Sequence, residues 1–108
     1  IDFNAVNNTK ATPMHIACET RNINFIKKII SLNKMNLNAQ NINGWTCLHF
    51  SCFQYKNASN KIIPISIDII KILITNGIDI TIQNNKKQNA LDLLSQNDIN
   101  KNEFKKLT

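Results

Sequence analysis

Little in this sequence of 108 residues is glycine, proline or aromatic: two Gly, two Pro, one Trp, one Tyr and five Phe. So few glycines and prolines exclude a collagen-like chain, a Gly/Ser linker and a turn-rich β barrel. At 6% aromatic, any core has to be aliphatic. Carboxylates are scarce too, seven in all and spread thinly, with no paired acidic site. With no phosphate-cradling glycine loop and no nucleophile motif, the residues offer no enzyme chemistry and imply no cofactor. No apolar run approaches the roughly 18 residues of a membrane span. Three cysteines (Cys18, Cys47, Cys52) form no Cys-x-x-Cys pair, and an odd, sparse set points to a reducing, intracellular setting in cytoplasm or nucleus. No signal peptide is visible, and a start at Ile1 rather than Met leads us to expect a piece of a longer protein.

What is abundant is Ile, Asn and Lys, at 19, 19 and 12 copies, filling 50 of 108 positions. Such a skew reflects an A/T-rich genome more than a function. The apolar share of 43% is enough for one small domain and argues against a disordered tail. A net charge of +6 invites a nucleic-acid or anionic-lipid hypothesis. The lysines, however, are scattered as singles and pairs (Lys27-Lys28, Lys86-Lys87, Lys105-Lys106), which reads as solvated faces.

Self-similarity organises the chain. Thr12-Pro13-Met14-His15-Ile16-Ala17-Cys18 recurs 34 residues later as Thr46-Cys47-Leu48-His49-Phe50-Ser51-Cys52, and a degraded third copy is Asn89-Ala90-Leu91-Asp92-Leu93-Leu94-Ser95. A strand-and-turn segment precedes each copy, starting at Asp2, Asn36 and Asp79, and apolar helical runs follow the first two. This pattern resembles the ankyrin repeat, T-P-L-H-x-A-A with a period of about 33. The resemblance implies an all-α fold: a solenoid of stacked antiparallel helix pairs with β-hairpin or loop fingers. It divides the chain into a half-repeat strand and hairpin (1–11), repeat one (12–45), repeat two (46–88) and a degenerate carboxy-terminal capping repeat (89–108). The surplus of about ten residues in repeat two falls between its helices, at Lys56 to Ile65, where an insertion lengthens a loop without displacing the stack.

Each motif residue has a physical task. Thr12 and Thr46 can accept from free N–H groups of a first helical turn. Pro13 suits N1, where its missing N–H costs nothing. His15 and His49 are close enough to bond those hydroxyls, and the resemblance implies that they tie each helix to neighbouring loops. Asn22 and Ser66 read as N-caps of the second helices. Cys18 and Cys52 stand where the family has small buried Ala, and no ligand spacing for a metal is met. Equivalent positions one helix-packing distance apart, about 8–10 Å, exceed the reach of a disulfide. The turn glycine of the family is present at Gly44, while Lys10 and Lys87 replace it elsewhere; those two hairpins are expected to be looser or differently turned. Gly77 closes the second helix of repeat two. In the third copy the replacement of Thr by Asn89 and of His by Asp92 reads as a degenerate cap, polar from Asp98 to Leu107 apart from Ile99, Phe104 and Leu107.

Ankyrin domains typically bind other proteins through hairpin tips and the exposed side of the first helix. Carried over, that gives Asn8, Thr9, Ala11 and Ile16 in repeat one, Ile42, Asn43, Trp45 and Phe50 in repeat two, and Asn85, Lys86 and Gln88 in repeat three. Phe53 is expected beside Phe50 on the same helix face. Trp45, Phe50 and Phe53 are half of the chain's Trp and Phe residues, and either they anchor a partner or they cover the core where small residues leave gaps. The insertion is either a tolerated expansion or a second docking point through Ile62, Ile63 and Ile65 around Pro64. The expected function is non-catalytic recognition of another protein or another domain of the same protein, with no small-molecule substrate. One alternative is an accessory domain of a larger enzyme or acyl-CoA-binding protein. A weaker one is nucleic-acid or anionic-lipid binding through lysines.

Overall fold

A computed structural model describes residues 2–94, and in it helices pair and stack as the apolar spacing requires. The elements are α1 (Pro13–Glu19), α2 (Ile23–Leu32), α3 (Cys47–Ser51), β1 (Tyr55–Lys56), β2 (Ile62–Ile63), α4 (Ile67–Thr75) and α5 (Ala90–Leu94). Helix α1 packs on α2 and α3 on α4 within repeats, and α1 on α3, α2 on α4 and α3 on α5 between them. The interior is aliphatic: Ile26 and Ile29 of α2 and Ile69, Ile70 and Leu73 of α4 are fully buried, together with Met14, Leu48 and Leu94. Each such burial is worth roughly 1.5–3 kcal/mol. That outweighs the few tenths of a kcal/mol by which a β-branched residue disfavours a helix. Packing therefore sets these helices, and Asn22 and Ser66 cap α2 and α4 by accepting from Phe25 N–H and Ile69 N–H. Gly77, φ +87, follows the end of α4 in open space.

Both threonine–histidine pairs are full capping boxes. Thr12 N–H donates to His15 Nδ1 at 2.9 Å while the Thr12 hydroxyl accepts from His15 N–H, and Thr46 and His49 repeat the arrangement. The third copy is less degenerate than its letters suggest. Asn89 Oδ1 accepts from Asp92 N–H and Asp92 Oδ2 accepts from Asn89 N–H, both at 2.9 Å, so a carboxylate replaces the imidazole in the same reciprocal box. Residues 95–108, including Ile99, Phe104 and Leu107 of the expected cap, lie outside the described residues.

Three further expectations need correction. The segments before each helix pair are turns rather than strands. Each closes through one five-residue loop, Asn7–Ala11, Asn41–Trp45 and Asn84–Gln88, in which the first N–H donates to the fifth carbonyl. One such closure is too short to seed a ladder, and none extends into the preceding residues, so segment 2–11 carries no strand. The Lys10 and Lys87 hairpins are not differently turned: both residues take the left-handed conformation, φ 60 and 61, beside φ 78 at Gly44. What holds them there is the leading asparagine, whose Oδ1 accepts from the third and fifth N–H of the loop in all three fingers. The insertion, finally, is an ordered hairpin: β1 pairs antiparallel with β2, Tyr55 opposite Ile63 and Lys56 opposite Ile62. Ile65 packs against the core and Ile63 is half-buried, which leaves Ile62 as the exposed isoleucine of the three.

Candidate protein-interaction surface

Successive fingers lie in contact. Ile42 N–H donates to the Thr9 carbonyl at 2.8 Å and Asn85 N–H to the Asn43 carbonyl at 3.0 Å, the same bond repeated one unit on. Asn85 Nδ2 adds a bond to the Ile42 carbonyl. Part of the polar chemistry expected to meet a partner at Thr9, Asn43 and Asn85 is thus spent on stacking. The side chains of Asn8, Asn43 and Lys86 remain exposed and make no hydrogen bond among the described residues, while Gln88 is half-buried. Ile16 and Ile42 stand 47% and 54% exposed, large apolar side chains in open solvent on α1 and on the second finger.

Histidines lock fingers to helices. His15 Nε2 lies 2.9 Å from the Trp45 carbonyl and His49 Nε2 2.9 Å from the Gln88 carbonyl. With Nδ1 accepting from the threonine N–H, the proton sits on Nε2, so each ring is satisfied as neutral imidazole. Burial lowers both histidine pKa values, partly offset by these bonds to backbone carbonyls. The ring of His49 also lies 5.8 Å from Trp45, so the same histidine that closes the third finger backs the aromatic cluster.

That cluster is built around Trp45. Its ring lies 5.0 Å from Phe50 and 5.1 Å from Phe53, nearly perpendicular to the latter. Phe53 does not share a helix face with Phe50: α3 ends at Ser51, and Cys52 caps it, so Phe53 sits past the helix and Trp45 lies between the two phenylalanines. All three rings pack against the core and all three are half-buried, so each of the two roles expected of them has a physical basis. Two hollows flank the ridge of Trp45 and Phe53. One, about 280 Å³, is walled by Phe50, Tyr55, Glu19 and Asn41; the other, about 430 Å³, by Asn85, Lys86, Gln88 and Leu93, and Asn43 borders both.

Sequence reasoning missed Tyr55 and Arg21. Arg21 is the chain's single arginine. It makes five hydrogen bonds to the carbonyls of Cys18, Phe50, Phe53 and Pro64, and its guanidinium lies 5.7 Å from the centre of the Tyr55 ring. Tyr55 donates its hydroxyl to the Glu19 carbonyl at 2.6 Å. Together they bind the base of the inserted hairpin to repeat one. A lone Arg in a lysine-rich chain was the available signal, since a planar fork satisfies several carbonyls where an ammonium cannot.

The cysteines are buried and unpaired. A hydrogen bond with Cys18, and burial, push the Cys47 thiol well up, and burial does the same at Cys52. Such thiols are packing groups with little nucleophilic character. No group of three or more metal-ligating side chains occurs among the described residues, and none of the described helices is long and apolar enough to cross a membrane.

Stacked helix pairs, repeated capping boxes and left-handed fingers at matching positions meet a direct comparison with known proteins. The family model for ankyrin repeats, three copies, matches residues 1–84. The chain belongs to the ankyrin-repeat family. It is similar to a solved ankyrin-repeat protein, EF0377, at a TM-score of 0.77 and 25% identity over 99% of this chain and 50% of that one. Among curated proteins it is 39% identical over 70 residues to the tyrosine-protein kinase HTK16 of Hydra vulgaris, covering 63% of this chain. It is 32% identical over 101 residues to alpha-latrotoxin-Lg1a of Latrodectus geometricus, covering 92% of this chain. The chain spans 8% and 7% of the length of those two relatives. Ankyrin repeats are in general protein–protein interaction modules, and the exposed apolar and amide chemistry of the fingers is of that kind.

Proposed function

We propose that this ankyrin domain is a non-catalytic recognition module that binds another protein, or another domain of its own protein, through finger two and the Trp45 cluster. The carrying observation is the half-buried three-ring cluster open on both sides to a hollow. Aromatic anchors that are already ordered lose little freedom on binding, which is why they dominate interface energetics. The exposed residues Ile16, Ile42, Asn8, Asn43 and Lys86 extend the surface along the stack. The reading keeps the division into units 1–11, 12–45, 46–88 and 89–108, supported by the recurrence of boxes and fingers. It also keeps an intracellular setting, supported by three unpaired thiols.

The test is partner affinity in Trp45→Ala and Phe53→Ala variants whose circular dichroism matches the parent. Loss of at least about tenfold in affinity, the level of an interface anchor, is expected for Trp45→Ala. Unchanged affinity of both variants in an intact fold rejects the reading.

A second reading, an accessory domain serving a catalytic domain elsewhere in a larger protein, is favoured by the small share of the kinase relative that the chain spans. In that case the Trp45 face meets a domain in cis, and Trp45→Ala changes the activity of the whole protein. Binding of nucleic acid or anionic lipid through scattered lysines is the third possibility, and it requires a steep loss of binding with salt.

A further inference from the structure

Granting that the Trp45 face recognises protein, the chemistry of its ligand follows from what lines the two hollows. Trp45 and Phe53 border both, so one ridge separates two compartments of a single groove. The smaller compartment adds Phe50 and Tyr55, the latter carried in by the inserted hairpin and held by Arg21. The larger adds amides and an ammonium. Around it Asn43 Nδ2, Gln88 Nε2 and Lys86 Nζ have no hydrogen-bond partner among the described residues, whereas Asn85 Nδ2 is already bonded. Among the described residues its walls contain no carboxylate, and fingers Asn7–Ala11, Asn41–Trp45 and Asn84–Gln88 carry Lys10, Lys86 and Lys87 with no Asp or Glu. Glu19 lies beyond the ridge in the aromatic compartment, within electrostatic reach of Arg21. Among the described residues that wall the larger compartment, the charged group is the Lys86 ammonium.

We propose that this groove binds an extended acidic peptide segment. One bulky apolar side chain seats between Trp45, Phe50, Phe53 and Tyr55, and a carboxylate within two residues of it reaches Lys86, Asn43 and Gln88. An extended backbone advances about 3.3 Å per residue, so neighbouring side chains suffice to span adjacent compartments. The inserted hairpin is then a specificity element, since without Tyr55 the aromatic compartment loses a wall.

Trp45 is the only tryptophan, so its emission reports binding directly. The 108-residue chain is titrated with three capped pentapeptides: a central Phe flanked by Asp, the same Phe flanked by Lys, and a central Ala flanked by Asp. The first is expected to shift Trp45 emission saturably, the second to bind at least about fivefold more weakly at low salt, and the third not to saturate. Lys86→Gln should close the gap between the first two peptides. Lys28→Gln on α2, an equal change in net charge, should leave it open. Tyr55→Ala, checked for an unchanged unfolding midpoint, should weaken the first peptide about tenfold. Equal binding of Asp- and Lys-flanked peptides, equal closing of the gap by Lys28→Gln, or indifference to both Lys86→Gln and Tyr55→Ala overturns the proposal. If no peptide shifts Trp45 while Trp45→Ala still abolishes binding of a protein partner, the acidic-peptide assignment fails alone. If Trp45→Ala leaves partner binding unchanged, the recognition reading fails with it.

Discussion

Finger two and the tip of the inserted hairpin are the same five-residue turn in two different settings. Asn41 Oδ1 accepts from the N–H groups of Asn43 and Trp45, and Asn57 Oδ1 from those of Ser59 and Lys61. In each the first N–H donates to the fifth carbonyl at 2.9 Å, and the fourth residue is left-handed, Gly44 at φ 78 and Asn60 at φ 63. The surroundings differ. Gly44 is buried against finger three, and a Cβ there would lie 2.7 Å from Asn85 Oδ1, 2.8 Å from Asn85 N and 2.9 Å from Asn84 Cα. Asn60 is exposed. The turn is therefore a local product of its leading asparagine, and the glycine is demanded by the neighbour that packs on it.

The largest effect that tests this contrast is Gly44→Ala. A side chain at positive φ costs about 1 kcal/mol, and moving the backbone of finger three away from the new methyl adds about 1–3 kcal/mol. The expected loss in urea unfolding is about 3 kcal/mol, against less than about 1 kcal/mol for Asn60→Ala, where a side chain already sits at positive φ and only asparagine's preference for that region is lost. Equal losses in the two variants would mean that stacking does not distinguish the turns.

The second test concerns what holds each turn to the body. Fingers are joined by backbone bonds, Ile42 to Thr9 and Asn85 to Asn43, whereas the inserted hairpin is tied to repeat one through side chains, Arg21 above all and Tyr55 beside it. Arg21→Met removes five bonds from a charged donor to carbonyls, with an expected loss of about 2 kcal/mol. Arg21→Lys should rescue little of it, because a single ammonium cannot serve four carbonyls at once. Amide exchange at Asn57 and Lys61 should quicken while that of Ile42 and Asn85 holds. Exchange rising equally at all four sites would show that the hairpin and the fingers are one unit.

These contrasts also mark what was readable from sequence. The helix pairs were legible because buried isoleucines recur at helical spacing between good caps, and the boxes because Thr and His stand three apart. The third box was misjudged: Asn89 and Asp92 look like decay to a reader matching letters, yet amide and carboxylate oxygens accept the same two N–H groups. Finger geometry was misjudged at Lys10 and Lys87 for the opposite reason. A glycine marks the turn in the family pattern, but the cause of the turn is an asparagine four residues before it closes. The ridge residues Trp45, Phe50 and Phe53 were found by their scarcity, but Tyr55 was not. Its place depends on where a ten-residue insertion folds, a long-range contact that no local pattern encodes.

Acid should separate the two regions next. Burial lowers the pKa of His15 and His49 below the ordinary 6.5, so the folded state holds them neutral and binds fewer protons than the unfolded chain. Their stabilising contribution is complete above pH 6.5 and is lost as pH falls through the lowered folded values. A proton on Nδ1 would also displace the N–H of Thr12 or Thr46 that donates there. The unfolding midpoint should decline progressively below about pH 6.5. Exchange should rise at Trp45 and Gln88, whose carbonyls the histidines hold, before it rises at the histidine-free hairpin tip. A midpoint flat down to pH 5 would contradict this, as would a hairpin that loosens first.

The smallest effect is the most direct test of the shared turn. Asn57→Ala removes an acceptor for two N–H groups at an exposed tip, where water takes over both, so the expected cost is about 0.5 kcal/mol. Asn41→Ala removes the same two bonds in the stack, where the one from Trp45 N–H is part-buried. There the freed N–H of Trp45 has less access to water, and the loss should reach about 1–2 kcal/mol. Because Trp45 is the fifth residue of that finger, its emission should shift in the folded Asn41→Ala variant and stay unchanged in Asn57→Ala. The same asparagine would then be a local turn former at one site and the seat of the aromatic ridge at the other. A Trp45 spectrum insensitive to Asn41→Ala would mean that the ridge is positioned by its core contacts alone.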